Sequence, residues 1–80
     1  MTIAVLLFAS YADVLGGDRI VLELPSGASV RDLLERVAQL PGGDRLPPTP
    51  MVAVNYAYAG PHQRLKVGDE VALIPPVAGG

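Results

Sequence analysis

Residues 2–8, TIAVLLF, form a short apolar run rich in β-branched residues, which predicts a strand buried between neighbours. Ser10 then stands where a helix N-cap would, with Asp13 three residues on as a weak variant of the capping box. Gly16-Gly17 stops that brief helix. From Arg19 to Leu24 the period changes to two: Ile20, Leu22 and Leu24 share one face, and Arg19, Val21 and Glu23 the other, a half-buried strand. After the Pro25-Ser26-Gly27 turn, Ser29 caps the strongest helix of the chain. Val30, Leu33, Leu34, Val37 and Ala38 recur at helical spacing over residues 30–39, with Arg31, Asp32, Glu35, Arg36 and Gln39 on the wet face. Arg31–Glu35 and Asp32–Arg36 are spaced as i,i+4 ion pairs. Pro41-Gly42-Gly43 ends the helix, and the four prolines and two glycines of residues 41–50 predict a loop. Met51 to Tyr56 reads as a third strand, and residues 58–64 as a turn-rich excursion with room for a very short strand. Leu65 points inward before a tight turn at Gly68-Asp69. Glu70 to Ile74 is the last strand, ended by Pro75-Pro76, since proline cannot donate to a ladder.

The order β–β–α–β–(β)–β places a hairpin first, then a crossover helix, with the last strand returning beside the first in the interior of the sheet. One helix on one face of a mixed sheet of four to five strands is a two-layer α+β domain. By analogy of element order this is the ubiquitin-like β-grasp, with residues 1–75 as the domain and 76–80 as an extended tail.

Composition narrows the function. Eighty residues make one domain, and such a chain is marginally stable alone. Apolar residues make up 50 % of it, so some must stay exposed, and a contiguous exposed apolar patch marks a partner surface. The net charge of −2, with no basic run, excludes an electrostatic nucleic-acid footprint. No apolar stretch approaches the roughly 20 residues that span a bilayer. The apolar start has no basic region before it and no cleavage site after it, so a cytoplasmic protein is expected. With no cysteine and one histidine, there is no thiolate nucleophile, no disulfide framework and little material for a metal site. His62 reads as a surface loop residue, and Asp69 with Glu70 as a solvated turn.

The chemistry sits at the C-terminus. Gly79-Gly80 form a thin thread without side chains, able to enter an active site where any Cβ would jam. Pro75-Pro76 fix φ and favour an extended path out of the domain. The five residues from Pro76 to Gly80 reach at most about 17 Å. A carboxylate is a poor electrophile and must be activated, by adenylation, before a sulfur or amine nucleophile can displace the leaving group. A chain without cysteine has its C-terminal carboxyl as the one place to hold transferable sulfur.

The closing LKVGDEVALIPPVAGG resembles the end of the MoaD family, the small sulfur-carrying subunits of molybdopterin synthase. Leu65, Gly68, Asp69, Glu70, Val71, Pro75, Pro76, Val77, Gly79 and Gly80 match its pattern. VLLFASYADVLG resembles the family's first strand and helical turn through Phe8, Ala9 and Gly16, and Val54-Asn55 resembles its Val-Asn. The chain departs at Ala12-Asp13, where the family often carries Arg-Glu. The resemblance implies that an E1-like adenylating enzyme (MoeB-like) consumes ATP to adenylate Gly80 and that a sulfurtransferase supplies the sulfur of a Gly80 thiocarboxylate. It implies that Pro75, Pro76, Val77, Ala78 and Gly79 insert into the large synthase subunit (MoaE-like) of a heterotetramer. There sulfur passes to cyclic pyranopterin monophosphate to build the dithiolene. It implies a partner surface at Phe8, catalytic residues on the large subunit, no metal and no bound cofactor. The alternatives are a related carrier for thiamine, tRNA thiolation or cysteine synthesis, a modifier joined to lysines, and an interaction domain with an incidental tail.

Overall fold

The computed structural model describes residues 1–46 and 50–75. Strand β1 (Thr2–Leu7) leads through helix α1 (Ser10–Leu15) to β2 (Arg19–Glu23), which pairs antiparallel with β1. Helix α2 (Val30–Ala38) and a 3-10 turn (Gly43–Arg45) follow, then β3 (Met51–Val54), β4 (Ala57–Tyr58) and β5 (Glu70–Ile74). The sheet order is β2-β1-β5-β3-β4. β5 is central, parallel to β1 with Val5 opposite Val71 and antiparallel to β3 with Val52 opposite Leu73. This is the expected five-stranded mixed sheet, with the last strand inside it.

Alternation along the strands separates two faces. Ile3, Val5 and Leu7 of β1, Leu22 of β2, Val52 and Val54 of β3, and Val71 and Leu73 of β5 are buried against Val30, Leu33 and Val37 of α2. Leu24 and Leu65 close the ends of this core. Leu34 stays half-buried and Ala38 exposed, so the helix buries a narrower stripe than its sequence offers.

Ser29 caps α2 in a full capping box: its hydroxyl accepts from the Asp32 N–H at 3.3 Å, and Asp32 Oδ2 accepts from the Ser29 N–H at 2.9 Å. Asp32 is thereby committed to the cap, and of the two expected ion pairs only Arg31–Glu35 forms among the described residues, at 3.5 Å.

Three expectations need correction. Ser10 is the first helical residue of α1 rather than its cap. Ala9 holds the cap position at φ 50° without a side-chain bond. The chain reverses so tightly after β1 that backbone carbonyls already serve the first donors: Tyr11 N–H reaches the Phe8 oxygen and Ala12 N–H the Ala9 oxygen, both at 3.1 Å. Strand β1 ends at Leu7, leaving Phe8 outside the ladder. Strand β3 ends at Val54, not Tyr56, because Asn55 and Tyr56 take φ of 51° and 72° and make a two-residue hairpin turn.

Candidate functional site

The sheet face away from α2 carries the surface of interest. Register sets its shape. Leu6 stands opposite Ala72, Ala72 opposite Ala53, and Ala53 opposite Tyr58. Two alanines therefore lie side by side at the middle of this face, between larger side chains on either flank. The result is a groove of about 310 Å³, floored by Ala53 and Ala72 and rimmed by Leu6, Phe8, Ile74, Tyr56, Tyr58 and Glu70. Its rim is open to solvent: Phe8 is 47 % exposed, Tyr58 73 % and Tyr56 94 %. Three aromatic rings with apolar bodies in water are expensive to leave uncovered and suit a protein partner.

A hydrogen-bond network fixes that rim. Asn55 Nδ2 donates to Asp69 Oδ1 at 2.8 Å, and Asn55 Oδ1 accepts from the Glu70 N–H at 3.0 Å. Asp69 Oδ2 accepts from the Lys66 N–H at 2.7 Å. These bonds tie the β3–β4 turn, which carries Tyr56, to the turn that starts β5. Asp69 is thus a junction between two turns and not merely a solvated turn residue. Glycine favours the left-handed position that Tyr56 occupies, so an aromatic ring is presented there at some conformational cost.

The polar groups of the groove are the phenol hydroxyls of Tyr56 and Tyr58 and the carboxyl of Glu70. Its one ionisable group with a negative charge at neutral pH is Glu70. Among the described residues no group of three His, Cys, Asp or Glu could hold a metal ion. His62 is exposed, as expected, and lies on a larger groove of about 610 Å³ on the helix side, whose Arg31 and Glu35 pair with each other. No helix among the described residues is long and apolar enough to cross a membrane.

Of the site residues read from the sequence, Phe8 and Pro75 are placed. Phe8 forms one wall of the groove, and Pro75 follows Ile74 at its rim, half-buried. Pro76, Val77, Ala78, Gly79 and Gly80 lie outside the described residues. Ile74 on the groove rim is thus the chain neighbour of Pro75, the last described residue. Tyr56, Tyr58, Leu6 and Ile74 were not singled out from the sequence. The available signal was Asn55, a residue that tolerates positive φ, inside an otherwise apolar run.

Comparison with known proteins decides the family. The ThiS family model matches residues 5–80. The chain belongs to the ThiS family. The molybdopterin synthase sulfur carrier subunit of Chlamydomonas reinhardtii is 42 % identical over 83 residues, covering 100 % of both chains. The subunit of the same name from Dictyostelium discoideum is 35 % identical, covering 95 % of this chain and 93 % of the relative. Among solved structures, small archaeal modifier protein 1 of Haloferax volcanii superposes with a TM-score of 0.84 at 27 % identity, over 95 % of this chain and 98 % of that one. A complex of subunits 1 and 2 of molybdopterin-converting factor from Helicobacter pylori contains a chain of the same fold, with a TM-score of 0.72 at 21 % identity and full coverage of both. The expected β-grasp and the resemblance to the small subunits of molybdopterin synthase are both borne out.

Proposed function

We propose that this chain is the sulfur-carrier subunit of a molybdopterin synthase, with Gly80 as the carrying residue. The observation that carries the reading is the end-to-end likeness, at 42 % identity, to a molybdopterin synthase sulfur carrier subunit. The Gly79-Gly80 sequence and the groove beside Pro75 support it.

The Gly80 carboxylate attacks the α-phosphorus of ATP in an E1-like adenylating enzyme, releasing pyrophosphate and leaving an acyl adenylate. A persulfide sulfur of a sulfurtransferase then displaces AMP to give an acyl disulfide, and a thiol attacks the sulfurtransferase sulfur of that bond, releasing the Gly80 thiocarboxylate and leaving a disulfide. ATP is consumed by the activating enzyme, and the carrier itself holds no cofactor. The large synthase subunit covers the groove at Phe8, Ile74 and Tyr58. Pro75 and Pro76 then start the tail on an extended path, and Val77, Ala78 and Gly79 lead the terminal sulfur inward. There the sulfur passes to cyclic pyranopterin monophosphate, on catalytic residues of the large subunit. Restricting the arm before it docks lowers the entropy lost on insertion. The reading calls for a compartment that supplies ATP and reduced sulfur donors, as the cytoplasm does.

Incubation with an E1-like enzyme, ATP and a sulfurtransferase tests the reading. The expected product is the intact chain with one C-terminal oxygen replaced by sulfur, and this product must support molybdopterin formation with the large subunit. A chain without Gly79-Gly80 that still supported it would overturn the proposal. A second reading, a modifier joined to lysines, is supported by the likeness to small archaeal modifier protein 1. Isopeptide-linked conjugates in cells would mark it.

A further inference from the structure

The sheet has two edges, and they are finished differently. The β4 edge is only Ala57–Tyr58, too short to template another chain, and Tyr58 is already on the groove rim. The β2 edge runs Arg19–Glu23 in unbroken register with β1, without a bulge, proline or lysine to blunt it. Val21 at its middle is 53 % exposed. Its charges are Arg19 and Glu23, one of each sign, equally spaced about Val21.

The ladder fixes which backbone groups are free. Leu7 N–H donates to the Asp18 oxygen at 2.9 Å, and Leu24 N–H to the Met1 oxygen at 2.8 Å. Pairs in an antiparallel ladder alternate between hydrogen-bonded and non-hydrogen-bonded. Asp18, Ile20, Leu22 and Leu24 therefore turn their N–H and C=O groups toward β1, and Arg19, Val21 and Glu23 turn theirs outward. The side chains of the same three residues share the sheet face away from α2, and all are exposed.

This outward row is its own complement. A second copy related by a two-fold axis at Val21 runs antiparallel to the first. Val21 then stands opposite Val21 of the second copy, Arg19 opposite its Glu23, and Glu23 opposite its Arg19. Hydrogen-bonded positions recur at every second residue, so this one register satisfies every outward donor and acceptor on both strands. It also puts an opposite-charge pair on each side of the central valines. Parallel pairing would instead set Arg19 against Arg19 and Glu23 against Glu23. On the core-side face Ile20 meets Leu22 of the second copy, covering the surface that half-buried Ile20 still exposes. Thr2 donates its hydroxyl to Glu23 Oε1, which leaves Oε2 for the guanidinium.

We infer that β2 is a self-association strand: two copies of this chain join edge to edge through Arg19–Glu23 into a two-fold dimer with one continuous sheet. Strand β2 ends the order β2-β1-β5-β3-β4 and contributes no residue to the groove, so both grooves stay open to a different partner. The inference is independent of the chemistry assigned to Gly80.

Sedimentation equilibrium of the full chain in low salt tests it. An edge-to-edge contact buries little surface and reverses readily, so the concentration series extends to about 1 mM. The expected result is a mass that climbs from one chain toward two, and falls back when salt screens the exposed pairs. Arg19→Glu and Glu23→Arg should each weaken association at least about tenfold, because both cross-strand pairs pass from attraction to repulsion. Mixing those two variants should restore the dimer, since the acidic row of one then meets the basic row of the other. Val21→Pro removes the central outward N–H, a change that an edge strand tolerates, and should leave a folded monomer by its melting curve. Should that variant fail to fold, the charge variants decide. A parent that stays monomeric throughout the series would overturn the inference, as would a mixture of the two charge variants that fails to associate. A dimer indifferent to all three substitutions would also overturn it, and Tyr58→Ala would then show whether the aromatic groove makes the contact instead.

Discussion

Tyr11 is 1 % exposed, and its hydroxyl has no hydrogen-bond partner among the described residues. It borders a cavity of about 80 Å³ walled by Leu34, Val37, Leu46 and Leu73. Burial pushes the phenol above its ordinary value. Because the unfolded chain ionises first, stability from this group is present below about pH 10 and is lost as the pH rises past it. Tyr11→Phe removes an unpaired polar atom and keeps the ring, so denaturant unfolding should find it neutral or stabilised by about 1 kcal/mol, with a flatter alkaline limb. Asp32 behaves in the opposite sense. Hydrogen bonds from the Ser29 backbone and hydroxyl, with smaller help from Arg64 and Arg31, hold its carboxyl below the usual value. Its contribution is present above about pH 4 and lost as the pH falls through the lowered value. Ser29→Ala should cost about 1 kcal/mol, and urea titrations at falling pH should show a weaker acid dependence than in the parent. Gly43 is constrained by space alone: an added Cβ would lie 2.2 Å from the Val37 oxygen and 2.9 Å from the Ala38 carbonyl carbon. Gly43→Ala should therefore cost about 1–3 kcal/mol in the same assay, since backbone atoms cannot move aside cheaply.

Strand β5 has ladders on both sides, to β1 and to β3, so its amides should exchange only near the global unfolding free energy. Fast exchange at Val71 and Leu73 would contradict the central placement. The strand was legible in the sequence to the residue, because the Gly68-Asp69 turn and Pro75 bracket five apolar-rich positions. Helix α2 was equally plain, from a polar cap and a regular stripe. The β3–β4 turn was not. Its central pair is Asn-Tyr where Asn-Gly would have announced it, and the apolar pattern runs through VNYAY without a visible break. The groove was hidden for another reason. Ala53 and Ala72 are unremarkable residues in apolar strands, and only pairing across β3, β5 and β1 sets them side by side under Leu6 and Tyr58. The Asn55–Asp69 link likewise joins residues 14 apart in sequence. Asn55→Ala should cost about 1–2 kcal/mol in denaturant unfolding, because the Glu70 N–H loses its acceptor.

For the whole molecule, the proposed function makes the groove rim and the tail one recognition unit. Tyr58→Ala should weaken binding of the large synthase subunit by at least about 1 kcal/mol, read by calorimetry. Its own melting curve should stay within about 0.5 kcal/mol of the parent, since the ring is largely exposed. The parent's melting temperature should rise with the concentration of large subunit by mass action. The sheet order carries a consequence for the order of synthesis. Residues 1–69 contain two hairpins, β1–β2 and β3–β4, that share no ladder with each other. The strand that joins them is the last one made, so the nascent chain holds two half-sheets until Glu70–Ile74 arrives, and pairing of the first strand with the last must wait on the longest loop closure in the chain. A chain interrupted before residue 70 has no centre to its sheet and offers unpaired strand edges to aggregation and proteolysis. Passing the cell's test for foldedness therefore certifies that synthesis has reached the strand from which the diglycine arm departs.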